Sequence, residues 1–391
     1  MTSPADAPTA TPAQVLEEVR FVERLADVEA RLSPTLALAT EGSLAKRNQM
    51  RRKLYHDSEL IRVELEERMN EHGIENQWLT SPEMQEANKK LDAVRGQLKL
   101  DVMPASHSQL EKLYMLVRLA TMALLLVAWF SAFTVLIPLK LLNPVLSQLG
   151  VKKNYLPMDL ISWGTASLVC IAACTEMQIE GSDHLRNLQD SVVCMFSHSS
   201  NLDGFIVNGT SPVAFKELAI SVNERGNSVC ISPEGTRSKD GLLQEFKKGP
   251  FYLREDTKKN VVPAIVFGAY ELWPPGRMFS IPGHTLVRYL PQYESNPKLN
   301  RNQNRLALRR IYLKAFTEDV PDHIGTPVSS NFVLKNVFYL YVIWAITYKV
   351  TWSSLVLVNS FCYLVDISYG TFMLLSLLTT LAGEVLMYLT C

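Results

Sequence analysis

The sequence has no excess of charge of either sign. Lysine and arginine together number 39, and so do aspartate and glutamate, which gives a formal net charge of zero at neutral pH. Proteins that bind nucleic acid usually present a strongly basic surface, because they must neutralise phosphates. The charge balance therefore predicts that nucleic acid is not among the partners of this chain.

Paired cysteines and a secretory signal are also absent. The six cysteines lie in apolar bands or predicted strands, without the short paired spacing of a disulfide framework or a zinc site. The first twelve residues have neither a basic start nor an apolar core, so we interpret them as disordered. We expect reduced cysteines, no metal and no bound cofactor. The cysteines are Cys170, Cys174, Cys194, Cys230, Cys362 and Cys391.

Apolar residues are concentrated in bands along the chain. Residues 113–142 are almost wholly apolar and exceed the roughly 20 residues that a membrane span needs. The band 158–174 is shorter, and its residues leave open whether it spans, re-enters or lies at the interface. Three further runs occupy 337–348, 355–365 and 372–389, with aromatic residues near their ends. We predict a charged helical region at 1–112, membrane-associated helices at 113–180, a mixed domain at 181–330 and transmembrane helices at 331–391.

The charged first quarter has the periodicity of amphipathic helices. From Gln14 onward, apolar residues recur every three to four positions, and charged residues fill the other positions. Further helices are predicted at 43–71 and 82–100. We interpret this region as an appended helical unit that could form a homo-oligomer. The apolar positions of its first helix are Leu16, Val19, Val22, Leu25, Val28 and Leu32.

A basic cluster lies near the start of the second predicted helix. This cluster could bind anionic lipid head groups, or it could form a solvated face of the helix. We favour the solvated face, because acidic residues follow closely in the sequence. The cluster consists of Lys46, Arg47, Arg51, Arg52 and Lys53.

The mixed domain alternates short apolar runs with helical patterns. Such alternation predicts an α/β domain, a mostly parallel sheet with flanking helices. The predicted helices occupy 213–225, 247–258 and 304–316. The predicted strands are 192–196, 229–231, 261–267 and 286–289.

A histidine and an aspartate follow the first of these strands. His198 lies where the strand should end, and Asp203 comes five residues later. On a continuous helix this offset would place the side chains about 140° apart, so they can meet only across a turn. There Asp203 could fix the imidazole tautomer and leave the other ring nitrogen as a general base. The alternative is a core histidine beside a helix-capping aspartate.

Polar residues also follow the second predicted strand. Gly235 allows the backbone to approach a ligand closely, while Thr236, Arg237 and Ser238 offer hydroxyl groups, backbone N–H groups and a planar cation suited to phosphate.

Four short motifs occur in a fixed order between residues 190 and 290. They are H-x4-D at His198 and Asp203, E-G-T-R-S at 234–238, F-K-K-G at 246–249 and V-P-A-I at 262–265. In this order they resemble the motifs of the lysophosphatidic acid acyltransferase family of glycerolipid acyltransferases. The resemblance covers about a quarter of the chain.

The resemblance implies an α/β catalytic domain that transfers a fatty acyl group from acyl-CoA, a co-substrate, to the free hydroxyl of lysophosphatidic acid. His198 and Asp203 would be catalytic. The residues that bind the acceptor would be Glu234, Gly235, Thr236, Arg237 and Ser238. The phosphates of coenzyme A would be bound by Lys247 and Lys248. The acyl or thioester side of the groove would be lined by Val262 and Pro263. We expect an integral membrane protein of the endoplasmic reticulum with a cytosolic catalytic domain.

The chain also departs from the family pattern. The segment between H-x4-D and E-G-T-R is about half the usual length, with the junction at Lys216 and Glu217, and Ser197 stands where the family usually has asparagine. Two other interpretations therefore stay open. The protein acylates another lysophospholipid, or it is a catalytically inactive membrane scaffold.

Overall fold

The computed structural model describes residues 10–38, 42–73, 80–104, 143–149, 160–186, 191–210 and 228–375, together with a few single positions elsewhere. Most of the predicted span 113–142, the predicted helix 213–225 with the junction at Lys216 and Glu217, and most of the run 372–389 lie outside these residues. The described helices are α1 (Pro12–Glu18), α2 (Phe21–Leu38), α3 (Leu44–Glu71), α4 (Pro82–Gln97), α5 (Asn143–Gln148), α6 (Leu160–Ala173), α7 (Asp183–Arg186), α8 (Asp203–Thr210), α9 (Gly249–Thr257), α10 (Ala269–Leu272), α11 (Arg301–Phe316) and α12 (Ser330–Leu364).

Five strands form one mixed sheet in the order β1-β5-β4-β2-β3. Only the β4–β5 pairing is antiparallel within this sheet, and the other three pairings are parallel. The prediction of an α/β domain with a mostly parallel sheet is confirmed. The strands are β1 (Thr175–Glu180), β2 (Val193–Phe196), β3 (Val229–Ile231), β4 (Val261–Phe267) and β5 (Gly283–Tyr289).

Strand β1 was not predicted from the sequence. Its residues, Thr-Glu-Met-Gln-Ile-Glu, are mostly half-buried, because β1 is an edge strand that pairs only with β5. Strand β4 is the opposite case, since all seven of its residues are buried between β2 and β5. A continuous apolar, β-branched run therefore identified the central strand but not the edge strand.

The two faces of the sheet pack against different helices. Met195 and Ile265 belong to a hydrophobic cluster that also contains side chains of α1 to α4 and α11. Their neighbours in sequence, Cys194 and Val266, point the other way, into a cluster with side chains of α6 and α8. This alternation follows the two-residue period of a strand. The N-terminal helices thus cover one face of the sheet and share its core.

The N-terminal region differs from the sequence prediction in two details. The first predicted helix is two helices, because Arg20 has a φ of 54° and breaks the chain between α1 and α2. As a result Val22 is 78% exposed, although it was assigned to the apolar face. The apolar side chains Val19, Leu25 and Val28 are buried within this same chain. Homo-oligomerisation through these helices stays a prediction.

The interpretation of the basic cluster as a solvated face was wrong for its three arginines, whereas Lys46 and Lys53 are exposed as expected. Arg52 is buried and paired with Glu271, and Arg47 and Arg51 pair with Asp101. The acidic partners come from segments distant in sequence, which nearby charges could not reveal.

Helix α12 is continuous across two of the predicted C-terminal runs. The runs 337–348 and 355–365 were expected to be separate, yet Lys349 and Trp352 lie inside one 35-residue helix. At 1.5 Å per residue this helix is about 52 Å long, more than the roughly 30 Å of a bilayer's hydrocarbon core. Among the described helices it alone is long and apolar enough to cross a membrane.

The shared core leads to a prediction about cooperativity. Leu65 of α3 is fully buried in the cluster on the sheet. We expect Leu65→Ala to lower the free energy of unfolding by about 2–5 kcal/mol, because it leaves a cavity. In a denaturant titration followed by far-ultraviolet circular dichroism, the whole described fold should unfold in one transition. The substitution should move the midpoint of that transition to a lower denaturant concentration. The control Val22→Ala, at an exposed position of α2, should change stability by about 0.5 kcal/mol or less. Two transitions, of which only one shifts, would contradict a shared core.

Candidate active site

The site forms where two loops meet at one edge of the sheet. Strands β2 and β3 are parallel neighbours, so their carboxyl ends lie side by side. His198 follows β2, and Glu234 to Ser238 follow β3. The Ser238 N–H donates to the His198 carbonyl at 2.8 Å, and the His198 N–H donates to Glu234 Oε1 at 2.7 Å. The parallel pairing therefore brings together two motifs that are 36 residues apart.

The His198 and Asp203 side chains face each other, as the sequence predicted. His198 Nδ1 lies 3.3 Å from Asp203 Oδ2, across the turn between β2 and α8. The His198 side chain is 26% exposed, whereas Asp203 is fully buried. The Phe196 ring packs edge-on against the imidazole, with the centroids 5.7 Å apart. Because Nδ1 faces the carboxylate, Nε2 is the ring nitrogen left to act on a substrate.

Asp203 is held by the turn itself. Its Oδ2 accepts the backbone N–H groups of Ser199 and Ser200, and it is the first residue of α8. Burial raises the pKa of Asp203, while the histidine and the two N–H groups oppose that rise. The buried Oδ1 has no hydrogen-bond partner within the described part of the chain. Both N–H groups precede α8, so these bonds fix the turn and do not cap the helix.

The side chains of Glu234 and Ser238 were predicted to contact the acceptor, but both are buried behind the loop. Both are 1% exposed. The two Glu234 oxygens accept the N–H groups of His198 and Gln244, each at 2.7 Å, and the Ser238 hydroxyl donates to Asp240 at 2.6 Å. These two side chains bind the protein's own backbone and side chains, so they shape the site from behind.

The three residues between them lie on the accessible side of the same loop. Gly235, Thr236 and Arg237 are exposed, and Gly235 has a φ of +71°, which permits the tight turn. Lys247 lies close by, because a Cβ on Gly235 would come within 3.2 Å of Lys247 Cγ. Lys248 is also exposed, at the start of α9. The predicted phosphate-binding residues therefore share one accessible surface beside the His198 loop.

Val262 and Pro263 are core residues of β4. Val262 is fully buried and pairs with Cys194, and Pro263 pairs with Met195 of β2. Their position explains the apolar motif as sheet core, and contact with an acyl chain stays a prediction.

Several residues that support the site were not predicted as functional. The Ser200 hydroxyl donates to the Trp273 carbonyl at 2.8 Å, which ties the catalytic turn to the end of α10. The Ser197 hydroxyl accepts the Val266 N–H at 3.0 Å. Gln244 supplies the second N–H group to Glu234. Ser197 and Ser200 adjoin the motif and could have been suspected, whereas nothing in the sequence singles out Gln244.

Comparisons with known proteins point in one direction. No protein-family model matches the chain. A 1-acyl-sn-glycerol-3-phosphate acyltransferase of Limnanthes douglasii is 26% identical over 153 residues, covering 29% of this chain and 53% of that protein. The mouse 1-acyl-sn-glycerol-3-phosphate acyltransferase alpha is 27% identical over 120 residues, covering 30% and 42% respectively. The matches span about half or less of the length of these relatives.

One solved structure is also similar. It is the crystal structure of the 1-acyl-sn-glycerophosphate acyltransferase PlsC from Thermotoga maritima, with 18% sequence identity and a TM-score of 0.36. The likeness covers 50% of this chain and 95% of that one.

These relatives are all named 1-acyl-sn-glycerol-3-phosphate acyltransferases, and the H-x4-D and E-G-T-R-S motifs that resemble their family lie side by side at one edge of the sheet. The chain is therefore similar, over part of its length, to acyltransferases of the lysophosphatidic acid acyltransferase family.

Proposed function

We propose that this protein transfers a fatty acyl group from acyl-CoA to the free hydroxyl of lysophosphatidic acid, which yields phosphatidic acid and free coenzyme A. The observation that carries the proposal is the pairing of His198 with the buried Asp203, beside a loop that presents Arg237 to solvent. A general base next to a phosphate-binding surface is what acylation of a phosphate-bearing alcohol requires.

The chemistry follows from the two ring nitrogens of His198. Nε2 takes the proton of the acceptor hydroxyl while the hydroxyl oxygen attacks the thioester carbonyl. The resulting tetrahedral intermediate collapses, the carbon–sulfur bond breaks, and the coenzyme A thiolate leaves with the proton returned by the imidazolium. Asp203, on the Nδ1 side, stabilises the imidazolium and holds the tautomer. Such general-base assistance contributes roughly 100- to 10,000-fold to the rate.

The exposed part of the second loop supplies substrate binding in this proposal. Arg237 has a planar guanidinium that can bind the acceptor phosphate through two parallel hydrogen bonds. Gly235 and Thr236 bring backbone N–H groups and a hydroxyl to the same surface. Lys247 and Lys248, next to this loop, attract the phosphates of coenzyme A. Glu234 acts behind the loop and does not contact the acceptor.

We further propose that the protein is held in the endoplasmic reticulum membrane with its catalytic domain in the cytosol. Helix α12 supports membrane residence, since only 12% of its long apolar stretch is buried within the protein. The exposed aromatic side chains of Trp344, Tyr348 and Trp352 suit a bilayer interface.

Turnover by the purified full chain tests the reaction. With radiolabelled acyl-CoA, we expect acylation of lysophosphatidic acid and much weaker acylation of monoacylglycerol, which lacks the phosphate. His198→Ala and Asp203→Asn should each lower kcat by about 100- to 10,000-fold, because the base or its orientation is lost. Lys314→Ala, on α11 away from the site, is the control.

Turnover that survives His198→Ala would rule out the assigned base. Preference for another lysophospholipid would favour the second family activity, and no turnover with any acceptor would favour the inactive scaffold.

The ionisation of Glu234 leads to a prediction about pH. Burial raises the pKa of Glu234 to about 8, well above the ordinary glutamate value. Because the folded state then holds the proton more tightly than the unfolded chain, the contribution of Glu234 to stability is complete at low pH. It is lost as the pH rises through about 8.

In urea titrations from about pH 5 to 8, the free energy of unfolding of the wild type should therefore fall with rising pH. Glu234→Gln cannot ionise and should flatten this fall, whereas Glu294→Gln at an exposed position should leave it unchanged. Equal slopes for wild type and Glu234→Gln would refute the assignment.

Membrane residence is checked by fractionation. When microsomes from cells that express the full chain are washed with alkaline carbonate, the protein should stay in the pellet, because the apolar surface of α12 is costly to expose to water. A protease added to sealed microsomes should cleave the catalytic domain. Release by carbonate, or protection from the protease, would contradict the proposed placement.

A further inference from the structure

Helix α3 presents three charged residues to the α/β domain. Arg52, Glu59 and Glu66 are spaced by seven residues, close to two helical turns, so they share one face of the helix. Each forms an ion pair, which is buried for Arg52 and Glu59 and half-buried for Glu66. Arg52 pairs with Glu271 at 2.7 Å, Glu59 pairs with Arg309, and Glu66 pairs with Arg305 at 2.6 Å.

From Glu59, hydrogen bonds lead without interruption to the backbone of His198. Arg309 donates one N–H to Glu59 and another to the Gln244 carbonyl. The Gln244 N–H donates to Glu234 Oε2 at 2.7 Å, and Glu234 Oε1 accepts the His198 N–H at 2.7 Å. The position of the catalytic histidine is thus tied to a side chain of an N-terminal helix.

From Arg52, a second series of contacts leads to the other catalytic side chain. Arg52 and Asn48 both donate to Glu271 Oε1, at 2.7 and 2.9 Å. Glu271 belongs to α10, and Trp273, the residue directly after α10, carries the carbonyl that accepts the Ser200 hydroxyl. The Ser200 N–H in turn donates to Asp203 Oδ2 at 2.6 Å.

The charges in the first series are buried, and Glu59 has a second, longer contact with Arg62 at 3.4 Å. Glu59 and Arg309 are each 2% exposed. The positive charge of Arg309 lowers the pKa of Glu234, against the larger effect of burial. If Glu59 loses its charge, Arg309 loses one of the two groups that fix it, and the Gln244 backbone loses its anchor.

We propose that α3 positions the catalytic turn from behind, with Glu59 acting through Arg309, Gln244 and Glu234 on His198, and Arg52 acting through Glu271 on the Asp203 side. Both are positioning residues that touch no substrate. The inference rests on the proposed acyltransferase function, and it makes the N-terminal helices part of the catalytic unit.

The matched pair Glu59→Gln and Glu66→Gln tests this proposal. Both substitutions neutralise a glutamate of α3 that is paired with an arginine of α11, and the glutamate is buried at position 59 and half-buried at position 66. Arg305, the partner of Glu66, donates to the Phe246 carbonyl at 3.1 Å and not to the Gln244 link. The two variants should therefore destabilise the fold to a similar degree while only one disturbs the turn.

In the full chain, we expect Glu59→Gln to lower kcat by about 10- to 100-fold with KM for the acceptor unchanged, since small displacements of a catalytic group cost this much. Rates are normalised to folded protein. Glu66→Gln should keep kcat within about twofold. Arg52→Lys, which keeps the charge but loses the planar guanidinium, is a second variant in case Glu59→Gln does not fold, and it should also lower kcat alone.

Hydrogen exchange of the backbone provides a readout that needs no turnover. The amides of His198, Ser199 and Ser200 donate to Glu234 and Asp203, so Glu59→Gln should speed exchange of the peptide that contains them by about 10-fold. Glu66→Gln should not. Equal effects of the two variants on kcat and exchange, or no effect of either, would overturn the proposal. If the wild type shows no turnover, the acyltransferase function fails, and the exchange result alone decides whether α3 holds the turn.

Discussion

The buried carboxylate of Glu234 joins the two loops from which the site is built. At the carboxyl ends of β2 and β3 the sheet hydrogen bonds stop, and the N–H groups that follow need other acceptors. Glu234 supplies one oxygen to His198 and the other to Gln244. Without that carboxyl group, two buried N–H groups would lose their partners, and only the bond from the Ser238 N–H to the His198 carbonyl would still join the two loops. The geometry of His198, and hence the proposed chemistry, depends on this bridge.

The bridge through Glu234 also determines which residues of the second loop are buried and which are exposed. Because Glu234 and Ser238 turn inward, the residues between them turn outward, and Arg237 reaches solvent. A short motif thus holds the loop in place with its two end residues and presents its middle residues for the binding role proposed above. The positive φ of Gly235 lets the chain reverse between the inward and outward positions.

The buried ion pairs contribute more to the orientation of α3 on the α/β domain than to the free energy of folding. Charge pairs such as Glu59 with Arg309 are costly to desolvate, so their net contribution to the free energy of folding is small, but loss of one partner is severe. They restrict α3 to one orientation on the domain. The even charge balance of the whole chain is consistent with this use of charge, because several arginines of the helices and the domain serve as internal partners and not as a basic surface.

The parts of the fold that could be predicted were those encoded over a few neighbouring residues. Strands β3 and β4 were predicted at their observed bounds, because a buried strand needs a local apolar run. Edge strand β1 was missed because, within the described part of the chain, one side of it meets no other strand, which relaxes the need for apolar residues. The break at Arg20 was missed because the apolar period continues across it.

The sequence by itself determined which chemical groups are present, their order, and the turn that lets His198 meet Asp203 across five residues. Only the tertiary structure decided which of those groups face solvent and which are buried. Glu234 and Arg237 are three residues apart, yet one is enclosed and the other exposed, because Gln244, Arg309 and the N-terminal helices close over the first. Burial is set by residues distant along the chain, and it fixes both the protonation of a carboxyl group and its availability to a substrate. Local pattern therefore identified the candidate groups, while the assembled core decided which of them a substrate could reach.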